Sequence, residues 1–160
     1  MTISITDKPA FDMLTAFYAD LGGAGGGYLL VFGGTVPANA AAASTGATLL
    51  ATLGNGNSTT PSHFDAPTTG TPKTLNKKST EAVWNTTLAS NVTGTATFFR
   101  YVAAADAGTA ADGSPSTLTR IQGTIGVGGS AADMIVPTTA VVNGTDYQVS
   151  TFFASLPQAV

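Results

Sequence analysis

Apolar and polar positions follow two different periods along this chain, and the change from one to the other falls at a single run of glycines. From Thr6 to Gly23, residues Phe11, Leu14, Phe17, Tyr18 and Leu21 recur at spacings of three and four, the repeat of one face of an α-helix. Asp7 is placed to cap this helix, Pro9 fits its first turn, and Gly22 supplies a C-terminal stop. A helix is therefore expected over about 7–21, with its apolar stripe turned to a core.

Past the glycine run Gly22–Gly27 the chain breaks into short β-prone pieces separated by turn residues. Strands are expected at Tyr28–Phe32, Thr48–Leu53, Val83–Leu88, Thr95–Ala103, Thr117–Ile125, Asp133–Val136 and Tyr147–Phe153. No second helical pattern intervenes, which excludes a doubly wound parallel sheet. The expected fold is mainly β: an antiparallel, jelly-roll-like β-sandwich with one short N-terminal helix, in a single domain over residues 1–160. The loop Gly54–Thr80 carries Pro61, Pro67 and Pro72 with few apolar anchors. That is long for a connection, and it is expected to be mobile or ordered by a partner. Ala103–Ser116 repeats the pattern on a smaller scale.

Composition changes this picture in one respect. The apolar fraction, 43%, is ordinary, but only 9% of residues are charged, against about 25% in a typical domain. Thr, Ser, Asn, Ala and Gly must cover the surface, and with a net charge of −3 they give weak protection against association. A homo-oligomer is expected. Six Lys and Arg in all are too few and too scattered for a nucleic-acid footprint, and Lys73–Lys78 is expected to be a solvated loop. With no cysteine, disulfides and thiolate chemistry are excluded. The first residues lack the charged and apolar regions of a secretory signal, and the longest apolar run, Tyr28–Phe32, is too short to span a bilayer.

Candidate chemistry is sparse. Gly126, Gly128 and Ala131 match the relaxed dinucleotide pattern G-x-G-x-x-A, which requires a helix to follow so that its N-terminus faces the pyrophosphate. Here Pro137 and the β-branched run Ile135 to Val142 follow instead, so the glycines are expected to form a turn between strands. Gly22–Gly27 stands after a helix and before a strand, the reverse of a phosphate loop, and lacks the Gly-Lys-Ser/Thr ending. The single histidine, His63, lies two residues before Asp65 with no nucleophile elbow in the chain, and is expected to be a loop residue. Asp65, Glu81, Asp106, Asp112, Asp133 and Asp146 show no ligand spacing. No catalytic residue, cofactor or metal is expected. The adjacent pairs Phe98-Phe99 and Phe152-Phe153 place one ring on each face of a sheet, one for the core and one for solvent, the helix or another chain. The candidate interface residues are Phe11, Phe17, Tyr18, Trp84, Phe99, Tyr101 and Phe153.

Several segments carry a resemblance. Gly34, Pro37 and Ala38 match "G-x-x-P-A"; Gly46, Leu49 and Leu50 follow "TG-x-LL" with one further residue between. Phe98, Phe99 and Arg100 match "A-x-FFR", and Gln122, Gly123, Gly126, Asp133 and Gly144 match a closing glycine-rich turn and last strand. In this order the chain resembles a family of small structural proteins of tailed bacteriophages, the loop Gly54–Thr80 and the insertion Ala104–Ser116 being departures. The resemblance implies a non-enzymatic β-sandwich of the virion, made in the host cytoplasm, with the major capsid protein or other virion subunits as partners. A capsid decoration or cement protein is the first expectation. A tail, collar or fibre-attachment component is the alternative, and a carbohydrate-binding module stacking sugars on Trp84, Tyr101 or Tyr147 is a third. Neither nucleic acid nor membrane is expected as a partner.

Overall fold

The glycine run does separate helix from sheet. The structure is a computed structural model that describes residues 7–68, 74–87, 91–113 and 116–155. Helix α1 covers Asp7–Asp20 and buries Leu14, as Leu21 just past its end is buried, while Phe11, Phe17 and Tyr18 are half-buried. This is the stripe expected from the spacing. Gly22, Gly23 and Gly26 then take positive φ, a region open to glycine at little steric cost, and turn the chain into the sheet. The capping side chain of Asp7, Leu88 at the end of an expected strand, and Pro72 and Lys73 in the proline-bearing loop lie outside the described residues.

The strands are β1 (Gly27–Gly34), β2 (Ala47–Asn55), β3 (Thr74–Asn76), β4 (Trp84–Asn85), β5 (Gly94–Thr95), β6 (Phe98–Ala103), β7 (Arg120–Gly126), β8 (Met134–Ile135), β9 (Ala140–Val141), β10 (Gln148–Val149) and β11 (Phe153–Ser155). Seven form one sheet in the order β10-β4-β2-β1-β6-β7-β8, and two short ladders, β11-β3 and β5-β9, stand beside it. Two expected strands are each split: Thr95–Ala103 into β5 and β6, and Tyr147–Phe153 into β10 and β11. β3 and β9 were not expected.

One pairing corrects the antiparallel expectation. β8 runs parallel to β7, with Ile125 opposite Met134 and Gly126 opposite Ile135, so the sheet is mixed. The reason is local. After a turn closed by Ser130 N donating to Val127 O at 3.0 Å, the Asp133 carboxylate accepts from the backbone N–H and the hydroxyl of Thr124, both at 2.8 Å. These bonds hold the Asp133 carboxyl below the usual carboxylate range. They also return the chain to the level of Thr124 before β8 begins. A side chain at Gly126 would meet Ser130 Oγ at 2.1 Å, so this fold-back needs a glycine there.

The loop Gly54–Thr80 also departs from expectation. Its described parts are tied to the body of the fold: Ser62 bridges Gly27, Phe64 bridges Lys77, and Phe64 and Leu75 are buried. Asn57 Oδ1 accepts from the N–H groups of Thr59 and Thr60, both at 2.8 Å, an Asx turn that supplies the loop's own hydrogen bonds. Anchoring comes from a few well-spaced apolar residues rather than from a hydrophobic run.

Both faces of the main sheet are covered. Leu29, Val31, Phe99 and Tyr101 belong to the larger core with α1, whereas Leu30, Phe32, Phe98 and Val102 form a second cluster. The alternation of side chains along β1 and β6 produces this division. Over the second face lie the β1–β2 connection and the loop after β6, pinned by two arginines. Arg100 donates to Gln122 Oε1 at 2.8 Å and to the carbonyls of Gly108 and Ala42 at 2.8 and 2.7 Å. Arg120 makes a two-pronged pair with Asp106 at 2.6 and 2.8 Å and donates to Ala110 O at 2.9 Å. Gln122 completes the set by donating to Pro37 O at 3.0 Å.

Burial pushes the Asp106 carboxyl up, but hydrogen bonds from Arg120 and from the Gly108 N–H, together with the two arginine charges, outweigh it and leave the carboxyl below its usual value. A carboxyl depressed in the folded state adds stability above its unfolded pKa and loses that contribution as the pH falls through the folded one. Thermal stability is therefore expected to decline on acidification below about pH 4. Asp106→Asn is expected to make that decline shallower in melts between neutral pH and pH ~2. An equally steep decline in the variant would rule out this role for Asp106.

Candidate interface site

Five aromatic residues form the centre of the larger core. Trp84 lies 5.5 Å from the rings of both Tyr101 and Phe152, Phe64 lies 4.7 Å from Tyr101, and Phe99 meets Phe152 edge-on at 5.6 Å. Trp84 and Tyr101 have no exposed surface and Phe99 is buried. These three are thus core residues, and Trp84 and Tyr101 leave no surface for a contact. Phe98 is buried as well, because the second face of the sheet is covered and its ring packs flat on Phe32 at 4.8 Å. Tyr147 is buried too, its hydroxyl pushed up to about 12 by burial. None of Trp84, Tyr101 and Tyr147 therefore offers a ring face to a sugar.

The core's polar atoms are arranged around Glu81, a residue whose sequence spacing gave no signal. Its buried carboxylate accepts from the Trp84 indole N–H at 2.6 Å and from the His63 backbone N–H at 3.1 Å. Glu81 Oε1 lies 2.7 Å from His63 Nδ1. The sequence had set His63 beside Asp65, but Asp65 instead accepts from Ser79 N at 3.1 Å. Lys77 Nζ donates to the carbonyl of Glu81, and Tyr101 OH donates to Ser62 O at 2.9 Å. Through Glu81 the loop residue His63 is joined to Trp84 of β4, and through Ser62 the loop is joined to Tyr101 of β6, which gives the cluster a structural task. Among the described residues no three His, Asp or Glu side chains come together as metal ligands would.

The glycine run at 126–129 closes the fold-back between β7 and β8, and β8, not a helix, follows it. No helix among the described residues is long and apolar enough to cross a membrane.

Of the seven candidate interface residues, Phe153 alone is well exposed, at 63%; Phe11, Phe17 and Tyr18 of α1 are half-buried. Phe152 and Phe153 do separate as adjacent strand residues should, one into the core and one out. Phe153 forms one rim of a groove of about 540 Å³. Ile135, 52% exposed, also lines it, with Phe99, Ile121, Met134 and Phe152. Sequence reasoning missed Ile135, although it alternates with the buried Met134 and Val136 and so had to point outward. The groove brings β8 and β11 together, two strands that no local pattern relates.

No family model, curated protein or solved structure matches this chain.

Proposed function

We propose that this chain is a non-enzymatic structural protein of a tailed-bacteriophage virion, a decoration or cement protein that binds the outside of the head as a small homo-oligomer. The observation that carries the reading is the groove: two large apolar side chains, Ile135 and Phe153, stand exposed along its lining in a chain with only 9% charged residues. Exposed apolar surface of this kind is the usual mark of a protein contact.

The residues of the phage resemblance support the same reading by where they lie. Pro37, Arg100 and Gln122 form one hydrogen-bonded chain over the second face. Across the sheet, the absent Cβ of Gly123 leaves room for the Phe99 ring and Asp133. The shared pattern is thus one of framework, as expected where the family's members share a shape and no reaction. On this reading the two short ladders and α1 supply the second layer of a jelly-roll-like sandwich.

Quantitative mass spectrometry of purified particles tests the proposal. A copy number comparable with that of the major shell protein is expected, together with loss of heat and pressure resistance when the chain is stripped from the shell. A count lower by about one or two orders of magnitude would move the protein to a neck, tail or fibre. Absence from particles would refute the virion reading.

A further inference from the structure

Strand β8 stands at one end of the seven-stranded sheet, and its register sets Ile135 opposite Gly126. Val136 N donates to Gly126 O at 2.9 Å, and in a parallel ladder the residues that bond the neighbouring strand alternate with residues that face away. The N–H and C=O of Ile135 therefore point away from β7, and neither has a partner among the described residues. Soluble proteins usually blunt an edge of this kind with charge or proline. Met134, Ile135 and Val136 supply neither, and the Ile135 side chain is 52% exposed.

Both ends of this edge are closed. The Asp133 N–H is taken by Thr124 Oγ1 at 3.1 Å, and Pro137 has no N–H to give. An extended peptide laid along β8 would gain the two hydrogen bonds of Ile135 and little else. A second copy gains more, because a two-fold axis repeats every contact. One N–H beside one C=O on a single residue is its own complement: each Ile135 donates to the other and accepts from it, as in the hydrogen-bonded pair of an antiparallel ladder. The charges allow this approach. Asp133, the one charged residue in the described lining of the groove, is engaged by Thr124. With the two Ile135 residues opposed, the two Asp133 residues stand about 13 Å apart along the strands, beyond the screening length of about 8 Å at physiological salt.

We infer that two copies pair edge to edge through β8, in antiparallel register about a two-fold axis at Ile135, so that their main sheets join into one. Since Ile135 and Phe153 both line the groove, this sets the Ile135 of each copy at the mouth of the other's groove. The inference rests on the reading of the chain as an assembling subunit and names the surface that joins its copies. The described lining numbers 11 residues, about half of the roughly 20–30 a side of a standard interface. The dimer is therefore expected to dissociate on dilution, with a Kd in the micromolar range.

The chain has no cysteine, so Ile135→Cys gives each copy a single thiol. The opposed Cα atoms of such a pair are about 5.5 Å apart, and a short bis-maleimide is expected to join the variant into a dimer of twice the 15.9 kDa chain mass. Val142→Cys is the control, being 45% exposed and outside the groove lining; it is expected to stay uncoupled. Ile135→Lys sets two cations opposite one another and is expected to weaken the dimer at least about thirtyfold, read as mass against concentration by light scattering. Near-ultraviolet circular dichroism, dominated by Trp84 and its aromatic neighbours, checks that each variant is folded. Equal coupling of the two cysteine variants would mean chance collision and overturn the contact. So would an Ile135→Lys chain that keeps its oligomeric mass. An unmodified chain that is monomeric at every concentration would overturn it too, and if Ile135→Lys then lost its binding to purified shells the edge would belong to a shell subunit. The copy number in particles decides the virion reading separately from all of these.

Discussion

Replacing Arg120 with methionine is expected to cost about 3–5 kcal/mol of folding stability, the usual cost of removing one partner from a buried ion pair. Both side chains of the Arg120–Asp106 pair are nearly inaccessible, at 2% and 7% exposure, so water cannot take the place of the lost guanidinium. The variant leaves a buried carboxylate with the Gly108 N–H at 2.8 Å as its remaining close donor, and it frees the Ala110 carbonyl. For a domain of this size the thermal midpoint should fall by about 6–20 °C. Replacing both partners, as Arg120→Met/Asp106→Leu, should recover much of the loss, because no unpaired charge then remains inside. A single variant that melts within about 2 °C of the unmodified chain, equivalent to less than about 1 kcal/mol, would show that the pair does not hold the two loops.

That clasp also shows how far the sequence could be read. The period of three and four located α1, and runs of β-branched and aromatic residues located the long strands β1, β2, β6 and β7, because both patterns are set by neighbours in the chain. Arg100 sits in phase with Phe98 and Val102, but the cover over that face was not legible in the sequence. Nor were the acceptors of Arg100, because Gly108 and Ala42 offer backbone carbonyls, which every residue possesses. Glu81 escaped for a similar reason: its partners His63 and Trp84 stand on either side of it, separated from one another by a loop whose path the local sequence does not dictate. The parallel β7–β8 pair turned on one Asp133–Thr124 contact, which competes with the hairpin that a glycine-rich turn would otherwise favour. Strands of two or three residues, such as β3 and β9, are created by tertiary pairing and carry too few positions to show a period.

The pair Phe152 and Phe153 separates what holds the fold from what the surface offers. Phe152 is 7% exposed and within ring contact of Phe64, Trp84, Phe99 and Tyr101. Phe152→Ala would open a cavity in the centre of the larger core, where the rigid rings around it cannot collapse inward. The expected loss is about 3–5 kcal/mol, read as a lower denaturant midpoint with the slope of the transition unchanged. Phe153, the next residue, is 63% exposed and gives up little on truncation, so Phe153→Ala should stay within about 0.5 kcal/mol of the unmodified chain. Its effect belongs to association instead, where a large apolar side chain on the rim of a groove contributes only once a partner covers it. If Phe153→Ala destabilised the isolated chain as much as Phe152→Ala, its ring would belong to the core and the groove would lose its rim. If it left both stability and association unchanged, the interface would have to be sought elsewhere on the surface, with the half-buried Phe11, Phe17 and Tyr18 of α1 next in line.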